Sequence, residues 1–205
     1  MDDVAGYSVI ERLKDQRSVR IRAVRPGDKG LIIEAFRGLS AESIYFRLFA
    51  AKKEFTDADV KEITEVDFLN VVALVAVLEQ NGKDRIVGEG RYIRSGEAGS
   101  MQRAEVALLV VDAFHRLGIA TLLLKHLIAI ARESGITHFE AEVLRSNQAM
   151  LTILARSGLP VAMTATREFV FAVMDLRAEG QSPAAALDGD SSAQGTVADL
   201  EAVTK

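Results

Sequence analysis

The amino-acid sequence predicts one three-layer α/β domain, a mixed β-sheet with helices on both of its faces. Three observations lead there. Segments of period two and of period 3.6 follow one another in the order strand, helices, three strands, helix, strand, helix, strand, a pattern that packs helices on a sheet. The 205 residues are 49% hydrophobic and 26% charged, which supplies one core of ordinary size and excludes wholesale disorder or a collagen-like fibre. No internal repeat is visible.

Ser18 to Val24 sets Val19, Ile21 and Ala23 against Arg20, Arg22 and Val24, a half-buried strand. Pro26-Gly27-Asp28 opens a helix in which Ile32, Ile33, Phe36 and Leu39 recur at helical spacing. Ser40 suits the N-cap of a second helix through Ala50, and Thr56 or Asp57 that of a short third one. Val71 to Leu78 is a continuous apolar run ending in Glu79-Gln80-Asn81-Gly82, and Asn-Gly followed by Arg85 to Ile93 predicts an antiparallel hairpin. Ala104 to Val111 makes a further strand. Phe114-His115-Arg116-Leu117-Gly118-Ile119-Ala120 then leads into a helix to about Glu133, stopped by Ser134-Gly135. Thr121, Lys125 and Arg132 form its narrow polar stripe, and the other faces are apolar enough to lie on a sheet. Thr137 to Leu144 is a strand, Asn147 to Ala155 a helix closed by Ser157-Gly158, and Met163 to Leu176 one long strand or two short ones.

Residues 1–17 are expected to form a leader packed on or preceding the domain, and residues 18–177 the domain itself. Residues 178–205, built of Ala, Gly, Ser, Asp and Gln around Ser182-Pro183, are expected to be a disordered tail. That tail carries five acids (Glu179, Asp188, Asp190, Asp199, Glu201) and one base (Lys205), so the net charge of -4 belongs to it, and the body holds 24 acids and 24 bases. A neutral body without a long basic run gives no electrostatic reason to expect nucleic acid. The absence of cysteine excludes disulfides, thiol catalysis and thiolate metal sites. His115, His126 and His138 are too scattered for a metal-ligand pattern, so no metal is expected. Ile119 to Ala131 is interrupted by Lys125 and His126 and is too short to span a bilayer, and Met1-Asp2-Asp3 opens no signal peptide, so the expectation is a cytoplasmic protein without membrane attachment.

Chemistry concentrates after the strand Ala104 to Val111. A helix N-terminus offers unpaired N–H groups and the positive end of a dipole, and a glycine with small neighbours lets a phosphate come close. No Gly-Lys-Ser/Thr follows Gly118 and no Gly-x-Gly-x-x-Gly follows the strand, which argues against a P-loop or dinucleotide fingerprint. On spacing alone a plain strand-to-helix turn explains the segment equally well.

Order and context add to that reading. The stretch from Ala104-Glu105 to Val111-Asp112, then His115-Arg116-Leu117-Gly118-Ile119-Ala120, then Asn147-Gln148-Ala149-Met150 and Ser157-Gly158, resembles the GNAT superfamily of acetyl-CoA-dependent N-acetyltransferases. Leu39-Ser40-Ala41-Glu42-Ser43-Ile44-Tyr45-Phe46-Arg47-Leu48-Phe49 and Glu54-Phe55-Thr56 further resemble the acetyltransferase domain of bacterial Pat-type protein lysine acetyltransferases. The likeness runs from about Leu13 to Arg177. It implies a GNAT fold with a splayed central sheet, acetyl-CoA as donor with CoA as product, and an amine acceptor, in Pat-type proteins a protein lysine.

The resemblance also places roles. It implies that the CoA pyrophosphate lies on the backbone of His115, Arg116, Leu117, Gly118, Ile119 and Ala120, leading into Thr121, and that pantetheine runs along Leu109, Val110 and Val111 as an added strand would. Asn147 matches the asparagine that commonly lies beside the cofactor. His115 stands where the family has Gln or Arg, and Ala120 where it has a second glycine. Ala104-Glu105 matches the pair carrying the catalytic base. A lysine amine, with a pKa of about 10.4, must shed a proton before attacking a thioester. Alternation puts Glu105 on one face with Ala107, Leu109 and Val111, apolar company in which a carboxyl group holds its proton more tightly. The plain alternative is an edge carboxylate at a strand start.

Glu89, in Val87-Gly88-Glu89-Gly90, is a second candidate carboxylate on a neighbouring strand, although such a residue more often faces solvent. Glu140 and Glu142 are assigned no role. Leu151 to Arg156 lacks the tyrosine that protonates the leaving thiolate in many GNAT enzymes; a thiol of pKa near 8.5 can depart as thiolate. Tyr45, in the second helix, is a candidate to line the acceptor cleft, although a half-buried packing role is the more frequent fate of such a residue. The expected function is direct acetyl transfer to a protein lysine, with two rivals: a small-amine N-acetyltransferase and a noncatalytic acyl-CoA-binding module. A homodimer or a regulatory partner is left open.

Overall fold

The computed structural model describes residues 4–49, 54–95 and 102–178; the helix end expected at Ala50 and all but the first residue of the tail expected over 178–205 lie outside the described residues. In chain order the elements are β1 (Ser8–Arg12), β2 (Ser18–Ala23), α1 (Lys29–Arg37), α2 (Ala41–Leu48), α3 (Asp57–Thr64), β3 (Val71–Gln80), β4 (Lys83–Ser95), β5 (Arg103–Val110), α4 (Ile119–Glu133), β6 (His138–Leu144), α5 (Gln148–Ala155), β7 (Val161–Ala165) and β8 (Phe169–Asp175). The strands form one sheet in the order β1-β2-β3-β4-β5-β6-β8-β7. Among the described residues, only β5 and β6 pair in parallel.

The apolar run of β3 is continuous because helices cover both of its faces. Val72, Leu74, Ala76 and Leu78 share a core with Leu123, Leu127 and Ile130 of α4, whereas Ala73, Val75 and Val77 pack with Ile32 of α1 and Ile86 of β4. The hairpin to β4 turns through Asn81 at φ 53 and Gly82 at φ 73, the two left-handed residues that match a tight turn to the strand twist. The register shifts between Ala76 and Val77, leaving Val87 as the extra residue of β4. On the α4 side of β4 stand Gly88 and Gly90. A Cβ on Gly90 would lie 2.8 Å from Leu108 Cδ2 and 3.1 Å from Leu127 Cδ1, so the missing side chain is what lets α4 cross this closely.

The residues ahead of Ser18 add the edge strand β1, with Val9 opposite Ile21, where the sequence suggested only a leader. The strand is exposed on both faces, Ile10 at 67%, so it has no alternation to read. Arg22 breaks the alternation of β2 for a different reason. Its buried guanidinium donates to Asp28 Oδ2 at 2.7 Å and Oδ1 at 2.8 Å, tying β2 to the short 3-10 turn Pro26–Asp28 that precedes α1. Met163 to Leu176 contains two strands rather than one: β7, which starts at Val161, and β8 form an antiparallel pair. Among the described residues, no helix is long and apolar enough to cross a membrane.

The feature that positions the site lies at the centre of the sheet. The parallel ladder of β5 and β6 holds only Arg103 to His138, Ala104 to Phe139 and Glu105 to Glu140. Beyond Glu105 the two strands part while β5 stays paired to β4 up to Val110. This is the splay that the resemblance implied.

Candidate active site

The parting of β5 and β6 leaves one edge of β5 without a partner strand. Val111 gives its N–H to Val87 of β4 at 2.9 Å, and backbone groups two residues apart point the same way. Leu109 therefore turns its N–H and C=O toward β4, and Leu108 and Val110 turn theirs into the gap. The ring of His115 marks this edge, its Nε2 lying 2.8 Å from the Val110 carbonyl oxygen, to which it donates. Of the three strand residues expected along pantetheine, Val110 presents its backbone to the gap. Leu109 lines the cleft on the α1 side of the sheet; Val111, past the strand end, packs in the α4 core and lines the same cleft.

After Val111 the chain makes a 3-10 turn, Asp112–Phe114. Asp112 accepts the Ser43 hydroxyl at 2.8 Å and the Ser40 N–H at 3.2 Å, which fixes the start of α2 to this turn. Burial works against its charge, but the hydrogen bonds from Ser40 and Ser43 outweigh it and hold the carboxyl below its ordinary pKa. Arg116 at φ 64 and Gly118 at φ 91 then swing the chain into α4. Gly118 caps α4 without any side-chain bond. By contrast, Ser40, Thr56 and Asn147 cap α2, α3 and α5 with their side chains. Among the described residues, the N–H groups from Arg116 to Thr121 meet no acceptor in the chain, and the first bond is from Leu122 to the Gly118 carbonyl at 3.0 Å. Ile119 is buried, so only its backbone is available, whereas Thr121 is exposed. The arrangement is an open anion cradle next to the open edge of β5.

Basic side chains gather around the cradle. Lys14 gives its N–H to the Leu117 carbonyl at 3.2 Å, and its side chain passes 3.8 Å from where a Gly118 Cβ would stand. Arg17 and Arg85 lie over the Phe114 ring at 5.7 Å and 5.2 Å. The sequence pointed only to Arg116; the others arrive from two distant hairpins, and nothing local marks them. Asn147, at the far side of the gap after β6, spends its Oδ1 on the Met150 N–H at 3.1 Å as the cap of α5.

On the α1 face of β4 and β5 a cleft of about 240 Å³ opens. Its walls are mostly apolar, with Ile32, Phe36, Leu39, Phe55 and Ile63 from the helical side and Ile86, Ile93 and Leu109 from the sheet. Its floor carries charge. Glu89 is buried, not solvent-facing, directly opposite Leu109, and accepts Arg91 Nε at 2.6 Å. Arg47 of α2 approaches Glu89 Oε2 at 4.0 Å with its side chain 22% exposed. Burial pulls the Arg47 pKa below its usual value, opposed by Glu89.

Glu105 lies lower on the same face, opposite Ile93 and next to Glu140. It is exposed, with the 44% exposed Ile93 opposite it, so the enclosing apolar company expected around it is missing. None of the three tyrosines stands among the residues lining the cleft. Tyr7 is bonded to His126, Tyr92 is buried against Phe139, and Tyr45 is 47% exposed outside the cleft. Among the described residues, no group of His, Asp and Glu could hold a metal.

An open strand edge leading into an uncapped helix start, with a cleft on the other side, is the architecture of an acyl-CoA-dependent transferase. The chain belongs to the acetyltransferase (GNAT) family, whose model matches residues 41–158; it is an acyltransferase that uses acetyl-CoA for N-acetylation. It is 30% identical over 155 residues to Acetyltransferase PA5475 of Pseudomonas aeruginosa, covering 76% of this chain and 82% of that protein. To Acetyltransferase Pat of Mycolicibacterium smegmatis it is 32% identical over 138 residues, 67% of this chain but 40% of the longer relative. The solved GNAT domain of S. lividans PAT superposes with a TM-score of 0.74 at 31% identity, covering 82% of this chain and 96% of that one. The fold class, the enzyme class, the donor and the Pat-like character expected from the sequence are all borne out.

Proposed function

We propose that this acetyltransferase moves the acetyl group of acetyl-CoA directly to the side-chain amine of a lysine in a protein. The observation that carries the proposal is the parting of β5 and β6 after Glu105 and Glu140, which sets an unpaired strand edge beside the uncapped start of α4. The pyrophosphate would rest on the amides of Arg116 to Thr121, and pantetheine would pair with Val110. The N–H of Leu108 or Val110 would bond the thioester oxygen and stabilise the oxyanion that forms there. The acceptor nitrogen attacks the carbonyl carbon, the C–S bond breaks, and CoA leaves as thiolate. Glu105 takes the proton of the amine through water, in keeping with its exposure.

A protein acceptor is favoured by the rim of the site. Tyr45, Phe49, Ile93 and Phe171 are large apolar side chains each more than 40% exposed, a surface suited to another protein's chain. The apolar walls of the cleft suit the four methylenes of a lysine. The test incubates the protein with acetyl-CoA and either candidate proteins or a panel of small amines, following CoA release and mapping the acetylated atoms by mass spectrometry. Acetyl-lysine in a protein is the expected product. Acetylation confined to small amines would overturn the acceptor assignment.

A further inference from the structure

Arg47 is the one charged group of the cleft floor left without a close partner among the described residues. Its guanidinium is largely withdrawn from water, yet its ion pair with Glu89 spans 4.0 Å, beyond hydrogen-bond reach. Glu89 is already engaged by Arg91 at 2.6 Å. The buried guanidinium of Arg22, by contrast, makes two bonds to Asp28 and a third to the Ala23 carbonyl at 3.0 Å. A guanidinium carries five donors in a planar fork, and withdrawing it from water without acceptors is costly. That cost is recovered when a ligand brings an acceptor of matching shape.

We infer that Arg47 binds a carboxylate that the acceptor carries close to its reacting amine; the inference rests on the acetyltransferase reading of this cleft. A carboxylate fits the fork with two parallel bonds. A single charge also suits the site, because Arg91 is engaged by Glu89, Arg47 is the cleft's unengaged cation among the described residues, and Asp59 and Glu62, which also line the cleft, disfavour a second negative charge on the ligand. A dianionic phosphate would face the carboxylates of Glu89 and Glu105, the latter close enough to act on Arg47 electrostatically. The carboxylate has two sources with the same chemistry: an acidic side chain beside the target lysine of a protein, or the α-carboxylate of a free amino acid.

The experiment compares two pairs of acceptors at saturating acetyl-CoA. One pair is a lysine peptide with Glu next to the lysine and the same peptide with Gln there; the other is free lysine and lysine amide. The wild-type protein should prefer the carboxylate-bearing member of one pair by about tenfold to a hundredfold in kcat/KM, and the pair that responds identifies the source. In Arg47→Gln the preference should collapse toward one while acetyl-CoA binding is retained, and Arg47→Lys should recover part of it. Thermal unfolding and acetyl-CoA binding of both variants verify the fold, and if Arg47→Gln fails these checks, Arg47→Lys carries the comparison. Turnover indifferent to the carboxylate in both pairs, or a preference that survives in Arg47→Gln, would overturn the inference and leave the transferase reading standing. No acetylation of any acceptor would overturn the reading of the cleft as well.

Discussion

Replacing His115 with alanine should tighten acetyl-CoA binding. The ring donates to the Val110 carbonyl at 2.8 Å and is about half exposed. That carbonyl points into the gap, where pantetheine would pair with it, so the bond must break before the cofactor seats. A net intramolecular hydrogen bond contributes about 0.5–1.5 kcal/mol, which at about 1.4 kcal/mol per factor of ten corresponds to about twofold to twelvefold in affinity. His115→Ala removes the competing donor and keeps the backbone N–H of the turn. Its Kd for acetyl-CoA, measured by titration calorimetry, should fall by that factor, while the thermal stability of the unliganded protein drops by a comparable amount of about 0.5–1.5 kcal/mol, since the same bond holds the free state. His115→Gln, which restores the commoner residue of the family, provides a second point. Weaker binding in His115→Ala would refute the reasoning, because the imidazole would then be contacting the cofactor instead of holding its place.

Two further predictions concern the frame of the site. Gly90→Ala places a Cβ 2.8 Å from Leu108 and 3.3 Å from Leu123 Cβ; the overpacking should cost about 1–3 kcal/mol and lower Tm by about 2–12 °C in calorimetry, and an unchanged Tm would show that α4 does not depend on the close approach. Asp67 accepts the N–H groups of Leu69, Asn70 and Val71; although burial opposes its charge, these bonds lower its pKa to about 2. A lowered carboxyl pKa adds stability that is complete above the unfolded value of about 3.9 and is lost as pH falls through about 2. Acid unfolding followed by circular dichroism should therefore be less steep in Asp67→Asn over that window, and an identical slope would count against the bonds.

The sequence carried the elements wherever local chemistry decides structure. Asn81-Gly82, the capping residues Ser40, Thr56 and Asn147, and the left-handed Gly118 all specify their own backbone. β1 was illegible because an edge strand exposed on both faces has no hydrophobic pattern to read. The turn after β5 was legible as an anion cradle, yet Lys14 reaches it, and Arg17 and Arg85 reach the neighbouring Phe114 ring, only through tertiary packing. The same is true of the cleft floor. Glu89 reads as solvent-facing until α2 is laid over β5, and the ion pair with Arg91 depends on a side-chain choice that no spacing encodes. Glu105 shows the reverse: alternation assigns it the correct face, but its exposure depends on what packs over that face of the sheet, which the strand's own sequence does not encode.

The most direct test of the central claim is the single-turnover rate of acetyl transfer to a protein lysine by Glu105→Gln, measured with acetyl-CoA binding in the same preparation. If Glu105 accepts the proton of the amine, the rate should fall by about a hundredfold to ten-thousandfold at neutral pH, recover as pH rises toward the lysine pKa, and leave the Kd for acetyl-CoA unchanged. A rate close to wild type at neutral pH would contradict the account.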